Sequence, residues 1–127
     1  AFGVRSVMDA FGEMGIPVRR VVATGGAAKS RLWNQIKADV LGKEVHVPTV
    51  LETGILGAAI IARAGVEQRD IGAVAAGMVT LKEAYYPDEA NHARYEALYT
   101  RYLSLYQSLR EEFAALDALL KQSARQA

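Results

Sequence analysis

The chain contains no cysteine and its net charge is close to zero, and each of these two features excludes a class of protein. Without cysteine, a disulfide framework and a thiolate metal site are both impossible. The 15 basic and 14 acidic residues leave a formal net charge of +1, so no nucleic-acid-binding surface is predicted. No apolar run approaches the roughly 20 residues of a membrane span. We therefore expect a cytoplasmic protein that contacts neither nucleic acid nor membrane.

Histidine is also scarce. His46 and His92 lie far apart in the sequence and have no carboxylate at ligand spacing, so no metal site is predicted. What is present is the composition of one globular unit, with 127 residues of which 51% are hydrophobic. The chain begins at Ala1 inside a helical pattern, so we expect a piece of a longer protein.

A strand, a glycine pair and a helix follow one another near the start of the chain. Residues 19–24 carry a short apolar run with two β-branched residues, which predicts a buried strand. Gly25 and Gly26 then allow a sharp turn, because neither has a Cβ. Ser30 is a good N-cap for a helix reaching Leu41. A second strand over 43–47 completes a parallel βαβ unit, whose ligands bind beyond the carboxyl ends of the strands.

Two familiar phosphate motifs do not fit this glycine pair. A P-loop has its second glycine directly before the lysine, whereas Ala28 precedes Lys29 here. The G-x-G-x-x-G spacing of a dinucleotide site does not occur either. The residues alone leave two interpretations open, a plain tight turn and a turn that binds a phosphate or a nucleotide at the helix N-terminus.

The longer pattern closely resembles the C-terminal lobe of the FGGY carbohydrate kinases, over about Met14 to Tyr106. The residues that carry the resemblance are Gly25-Gly26-Ala27-Ala28-Lys29-Ser30, Trp33, Gln35-Ile36, Ala38-Asp39-Val40, Gly42, Val45, Val47-Pro48, Glu52 and Gly57-Ala58-Ala59. It implies an α/β fold, part of an actin-like (ribonuclease H-like) ATPase lobe. It also implies a parent enzyme that transfers the ATP γ-phosphate to a sugar or polyol hydroxyl, with Mg²⁺.

The resemblance also assigns the nucleotide contacts. It places Gly26 and Ser30 against the adenosine part of ATP. Beside them it places Gly25, Ala27, Arg31 and Asn34. Many relatives have a third glycine at the position of Ala27, and some have asparagine at the position of Ser30.

No candidate for the catalytic base is found in this chain. Sugar phosphorylation needs a carboxylate to accept the hydroxyl proton. None of the five aspartates follows a strand in an Asp-x-Gly setting; they are Asp9, Asp39, Asp70, Asp88 and Asp117. We therefore predict no catalytic and no metal residue here, and expect the isolated chain to be inactive. We predict that Asp39 makes structural hydrogen bonds.

The rest of the chain reads as helices. Phe2 to Met14, Thr53 to Ala64 and Asp70 to Val79 have helical patterns, and Thr80 to Tyr86 is ambiguous. For the glycine-rich face of the second of these helices, we favour tight helix packing over close approach to a nucleotide. A heptad seam predicts one long helix from Pro87-Asp88 to about Ser123. The predicted parts are 1–87, the nucleotide-binding part, and 88–127, a helix packed on the same lobe.

The seam is a row of apolar residues whose spacing alternates between four and three: Tyr95, Tyr99, Tyr102, Tyr106, Leu109, Phe113, Leu116 and Leu120. We interpret this row as the face by which the helix packs on the rest of the protein, in preference to a platform on which sugars or bases stack. Two alternatives to the kinase reading stay open. One is a non-catalytic actin-like binding module, and the other is a domain that forms a homodimer through this helix.

Overall fold

The computed structural model describes residues 1–124 of the chain. Its elements, in order, are α1 (Phe2–Glu13), β1 (Val21–Val22), a 3₁₀ turn (Gly26–Lys29), α2 (Arg31–Leu41), β2 (Val45–Pro48), α3 (Thr53–Glu67), α4 (Ile71–Met78), β3 (Leu81–Tyr85), α5 (Glu89–Ser108) and α6 (Arg110–Ala124). A first compact unit comprises Ala1–His92, and a second begins at Ala93. No helix within the described part is long and apolar enough to cross a bilayer.

The sheet has three strands in the order β1-β2-β3. β1 pairs with β2 in parallel, with Val21 opposite Val45, so the predicted βαβ unit is confirmed. β1 is shorter than predicted, although the ladder extends by a hydrogen bond from Ala23 N to His46 O at 2.8 Å. The ambiguous segment forms β3, antiparallel to β2, with an irregularity in register between Val47 and Pro48.

Small residues fill the space between the sheet and α2. The cluster contains Ala23, Ala28, Ala38, Val45 and Val47, none more than 7% exposed. Such small side chains let α2 lie close to the strands. Along α2, Val40 near the far end is buried, whereas Leu32 in the first turn is 72% exposed. Leu32 therefore lies outside the core, although Asn34 in the same turn is buried.

A second cluster joins α3 to α4 through Ile60, Ala64 and Val74. The glycine-rich face of α3 is not part of this cluster. A Cβ built on Gly54 or Gly57 meets no atom within 4 Å. Tight helix packing on that face is therefore not found within residues 1–124, because α4 packs on the neighbouring face of α3, where the larger side chains lie.

The carboxylate of Asp39 joins α2 to the start of α5. Asp39 is 3% exposed. Its Oδ1 accepts from Gln35 Nε2 at 2.8 Å and from the Asp88 backbone N–H at 2.9 Å. Its Oδ2 accepts from Asn91 Nδ2 at 3.3 Å. A buried carboxylate is tolerated when donors surround it in this way, and the structural role predicted for Asp39 is thus confirmed.

His92 adds a second link at the same place. Its Nδ1 donates to the Asp39 backbone oxygen at 2.7 Å. The imidazole ring lies over Gly42, where a Cβ would be only 2.7 Å from Cε1. Gly42 also ends α2 in the left-handed region, at φ 60°. Both the backbone conformation and the close ring therefore require glycine at this position.

The single long helix predicted after Pro87 is wrong, because the structure has two helices there. α5 ends at Ser108 and α6 begins at Arg110. Ser108 Oγ donates to the Ser104 backbone oxygen at 3.0 Å. Such a bond competes for a helical carbonyl and bends helices. The heptad spacing continues across this point, which is why the pattern alone does not reveal the interruption.

Gly42→Ala should destabilise the fold more than Gly15→Ala. Both glycines have positive φ and follow a helix, but a Cβ at Gly15 meets nothing within 4 Å. We expect Gly15→Ala to lower the free energy of unfolding by about 1 kcal/mol, from backbone strain alone. The clash with His92 should add about 1–3 kcal/mol for Gly42→Ala. Urea unfolding of the two variants measures this, and equal losses would contradict it.

Candidate functional site

Gly25 makes the turn that the sequence places after β1. It has φ 73° and ψ −170°, a region that residues with a side chain rarely adopt. Its N–H donates to Leu51 O at 3.1 Å, which ties the turn to the segment after β2. Gly26 does not share the positive φ. The conformational need for glycine therefore lies at Gly25, and Gly26 is free of it.

Gly26 begins the 3₁₀ turn, which was not predicted between the glycine pair and α2. Gly26 and Ala27 are exposed. Their N–H groups have no acceptor among the hydrogen bonds of residues 1–124, as expected of the first donors of a helical turn. A Cβ built on Gly26 meets nothing within 4 Å. Two donors without an acceptor in the described part of the chain thus belong to exposed residues at the carboxyl end of β1.

Ser30 caps α2 as predicted. Its Oγ accepts from the Trp33 N–H at 3.2 Å, and its carbonyl accepts from the Asn34 N–H at 3.0 Å. The positive end of the α2 dipole therefore lies directly behind the 3₁₀ turn. Arg31, the first residue of α2, is exposed beside it.

Asn34 holds the turn from beneath. It is 1% exposed, and its Nδ2 donates to Ala28 O at 2.8 Å. Its Oδ1 lies 3.4 Å from Lys37 Nζ. Lys37 Nζ also lies 6.0 Å from the centre of the Trp33 ring. Burial lowers the pKa of Lys37 below its ordinary value. The structure thus gives Asn34 a supporting contact with the turn itself.

A cavity of about 280 Å³ opens next to the turn. It lies at the carboxyl end of β2, where ligands of parallel α/β units bind. Its lining consists of Ala28, Lys29, Arg31, Val47, Pro48, Thr49, Leu51, Lys82 and Glu83. Of the residues predicted to contact a nucleotide, only Arg31 lines it. Sequence reasoning missed Lys82, because the strand that carries it was not identified.

The charges in this cavity are predominantly positive. Lys29, Arg31 and Lys82 line it, together with Glu83. Tyr85 Oη donates to Glu83 Oε2 at 2.5 Å. This hydrogen bond, with Lys82 and Arg31 nearby, holds the pKa of Glu83 below its ordinary value. Glu83 therefore stays ionised and offsets part of the positive charge.

The carboxylates do not assemble a metal site or a base at this turn. Asp39 is occupied by structural donors, and Asp70 caps α4 by accepting from Ala73 N at 2.9 Å. Asp88 Oδ1 accepts from Asn91 N at 2.8 Å. Within the described residues, no group of three or more histidine or acidic side chains could hold a metal ion.

Comparisons with known proteins agree with this geometry. The profile of the FGGY family of carbohydrate kinases, C-terminal domain, matches residues 1–66. The chain is 40% identical over 108 residues to the ribulokinase of Mycolicibacterium smegmatis, covering 84% of this chain and 19% of that protein. It is 33% identical over 90 residues to a probable L-xylulose kinase of Haemophilus influenzae, covering 71% of this chain and 18% of that protein.

Solved structures show the same fold. The xylulose kinase from Rhodospirillum rubrum superposes with a TM-score of 0.72 at 28% identity, over 89% of this chain and 23% of that one. The expected α/β fold, part of an actin-like ATPase lobe, is thereby confirmed. The chain spans about a fifth of the length of the relatives it matches.

Asn34→Ala should loosen the 3₁₀ turn specifically. It removes the donor to Ala28 O and should lower the free energy of unfolding by about 1–3 kcal/mol. Ser30→Ala removes the cap of the same helix and should cost about 1 kcal/mol. Amide hydrogen exchange separates them. Asn34→Ala should speed exchange at Ala28 and Ser30, whereas Ser30→Ala should speed it at Trp33. Unchanged exchange at Ala28 in Asn34→Ala would contradict the supporting role.

Proposed function

Because the chain belongs to the FGGY family of carbohydrate kinases, we propose that it supplies the surface that binds the adenosine end of ATP in such an enzyme. The parent reaction is transfer of the ATP γ-phosphate to a hydroxyl of a sugar or polyol. The observation that carries the proposal is the pair of N–H groups on the exposed residues Gly26 and Ala27, which have no acceptor among the described residues and lie beyond β1. Parallel α/β units bind nucleotides at this position.

The residues present fit such a ligand. Gly26 has no side chain to keep a ribose or base away from the backbone, and Ala27 has the smallest one. Ser30, at the N-terminus of α2, and Arg31 lie next along the exposed surface. Gly25 and Asn34 support the turn without contacting the ligand. Gly25 does so by its φ of 73°, and Asn34 by its hydrogen bond to Ala28 O. The site residues proposed from sequence therefore divide into contacting and supporting groups.

The positive charges beside the turn favour a polyanion. Lys29, Arg31 and Lys82 outnumber Glu83 in the neighbouring cavity. Excess charge of one sign in a cleft raises the local concentration of an oppositely charged ligand and speeds its association. We propose that this cavity attracts ATP electrostatically, while the backbone of the turn determines where the adenosine lies.

The chemical step requires groups that we place elsewhere in the parent protein. Phosphoryl transfer needs a base for the substrate hydroxyl and a metal ion on the phosphates. The described residues do not fit Mg²⁺, since they provide no cluster of ligands. We therefore assign Mg²⁺, the base and the sugar site to other parts of the parent, and propose that the parent works in the cytoplasm, where ATP is made.

A non-catalytic actin-like binding module would share the turn. An activity assay of the intact protein distinguishes the two functions. A binding module would bind nucleotide but would transfer no phosphate to any sugar or polyol. The match to the kinase family profile over residues 1–66 favours the kinase.

The 127-residue chain alone should not phosphorylate sugars. Asp39, Asp70 and Asp88 are engaged in structural contacts, and no aspartate of the chain follows a strand in the Asp-x-Gly setting expected of the base. A coupled ADP assay with pentoses, gluconate and glycerol should show no activity above a blank lacking the sugar. ATP consumption by the pure chain that depends on one of these sugars would overturn this.

Gly26→Val should weaken ATP binding without unfolding the turn. A β-branched side chain would fill the space that the ligand needs, and φ at Gly26 is not positive, so backbone strain is small. We expect the KM for ATP of the intact kinase to rise at least about tenfold, roughly 1.4 kcal/mol, with the sugar KM unchanged. Steady-state kinetics in both substrates measures this.

Gly77→Val is the matched control, because Gly77 is also exposed with open space around it, but lies in α4. It should leave both KM values unchanged. A melting curve shows whether each variant is folded. A folded Gly26→Val enzyme with an unaltered KM for ATP would remove the central claim, that this turn is a nucleotide site.

A further inference from the structure

The heptad seam of α6 is exposed along the described chain. Leu109, which precedes α6, is 37% exposed, and the seam residues of α6 are more so: Phe113 49%, Leu116 55% and Leu120 62%. No residue of 110–121 is buried. A 15-residue helix is marginal in water on its own. An amphipathic helix of this length gains its stability by covering its apolar stripe.

The start of the seam forms an apolar groove of about 220 Å³. Its lining is Tyr102, Leu105, Tyr106, Leu109 and Phe113. The rings of Tyr106 and Phe113 lie 6.1 Å apart between centroids. A groove of this size accepts one aliphatic side chain, in the manner of a hole in a coiled coil.

The charges beside the seam discriminate among the ways two copies could pair. Arg110 and Asp117 flank one edge, directly after Leu109 and Leu116, and Glu112 flanks the other. In a parallel pair, one edge of each helix lies against the opposite edge of the other helix, in the next heptad. This places Glu112 against Asp117 of the second copy. Like charges repel there on both sides of the pair. The sequence therefore disfavours parallel association.

In an antiparallel pair, each edge of α6 lies against the same edge of α6 in the second copy. If Leu109 packs beside Leu120 of the second copy, Arg110 lies opposite Asp117 of that copy, and twofold symmetry repeats the pair. Glu112 then faces Leu119, not another acid. A shift by one heptad would instead set Arg110 against Arg110 and Glu112 against Glu112. One antiparallel register is thus favoured by charge.

The same register fills the groove. Leu120 of the second copy reaches the level of Leu109, which lies in the groove lining with Tyr106 and Phe113. Near the twofold axis, Phe113 packs beside Leu116 of the second copy. Apolar fit and charge pairing therefore select the same arrangement.

We propose that two copies of this chain associate through α6 in that antiparallel register. The inference does not depend on nucleotide binding. Two heptads bury an area at the low end for specific interfaces, below about 1,200 Å², so we expect a Kd of about 10–100 µM. Asp117 also pairs with Lys121 of its own helix at 2.6 Å, but both side chains are more than half exposed, and such a pair contributes little.

Sedimentation equilibrium of the 127-residue chain, from about 1 µM to about 500 µM, tests the proposal. Arg110→Asp and Asp117→Arg should each weaken the dimer at least about tenfold, because each sets like charges together twice. The double variant restores both pairs and should return to within about threefold of the parent chain. Glu111→Arg makes the same change of charge as Asp117→Arg, away from the seam, and should have no effect.

Leu120→Ala should also weaken the dimer at least about tenfold, since it empties the groove. Leu32→Ala is its control, because Leu32 is 72% exposed on a different helix. Circular dichroism confirms that each variant keeps its helices. A monomer at all concentrations, association unchanged by both charge reversals, or failure of the double variant to restore the dimer would each overturn the proposal. A chain that stays monomeric at all concentrations would indicate that the seam packs against a different partner.

Discussion

The buried carboxylate of Asp39 is the contact on which the first compact unit depends. It accepts hydrogen bonds from Gln35 in its own helix and from Asp88 and Asn91 at the start of α5. A carboxylate removed from water is costly unless such donors replace the solvent. The network therefore holds the carboxyl-terminal half of α2 to a segment some fifty residues away. His92 and Gly42 close the same junction from the other side.

The opposite end of α2 carries the candidate site, and hydrogen bonds from the same helix hold that end to the turn. Asn34, one turn before Ala38 in the core, fixes Ala28 O, and Ser30 caps the helix. The 3₁₀ turn is thus supported by Asn34 and followed by a capped helix, while its exposed residues offer the backbone N–H groups of Gly26 and Ala27 and the side chain of Lys29. We propose that such an arrangement recognises a ligand by the position of its backbone donors, and that other parts of the parent protein select the phosphate acceptor.

Several features of the site were accessible from sequence because they depend on neighbouring residues alone. The glycine turn and the Ser30 cap each follow from local chemistry. The role of Asn34 was not accessible, since a buried amide beneath a turn looks like any polar helix residue. Lys82 was missed for a related reason: β3 is an edge strand with little apolar alternation, and pairing with β2 stabilises it.

The sequence by itself determined most of the helical segments, where the chain turns and, through a family pattern around Gly25–Gly26, which protein family the chain belongs to. These properties depend on backbone propensity, capping and the absence of a Cβ, all of which act within a few residues. Tertiary structure decided which face of α3 is covered and that Asp39 meets Asp88. Those outcomes depend on contacts between distant segments, and a periodic pattern does not record which partner each face will meet.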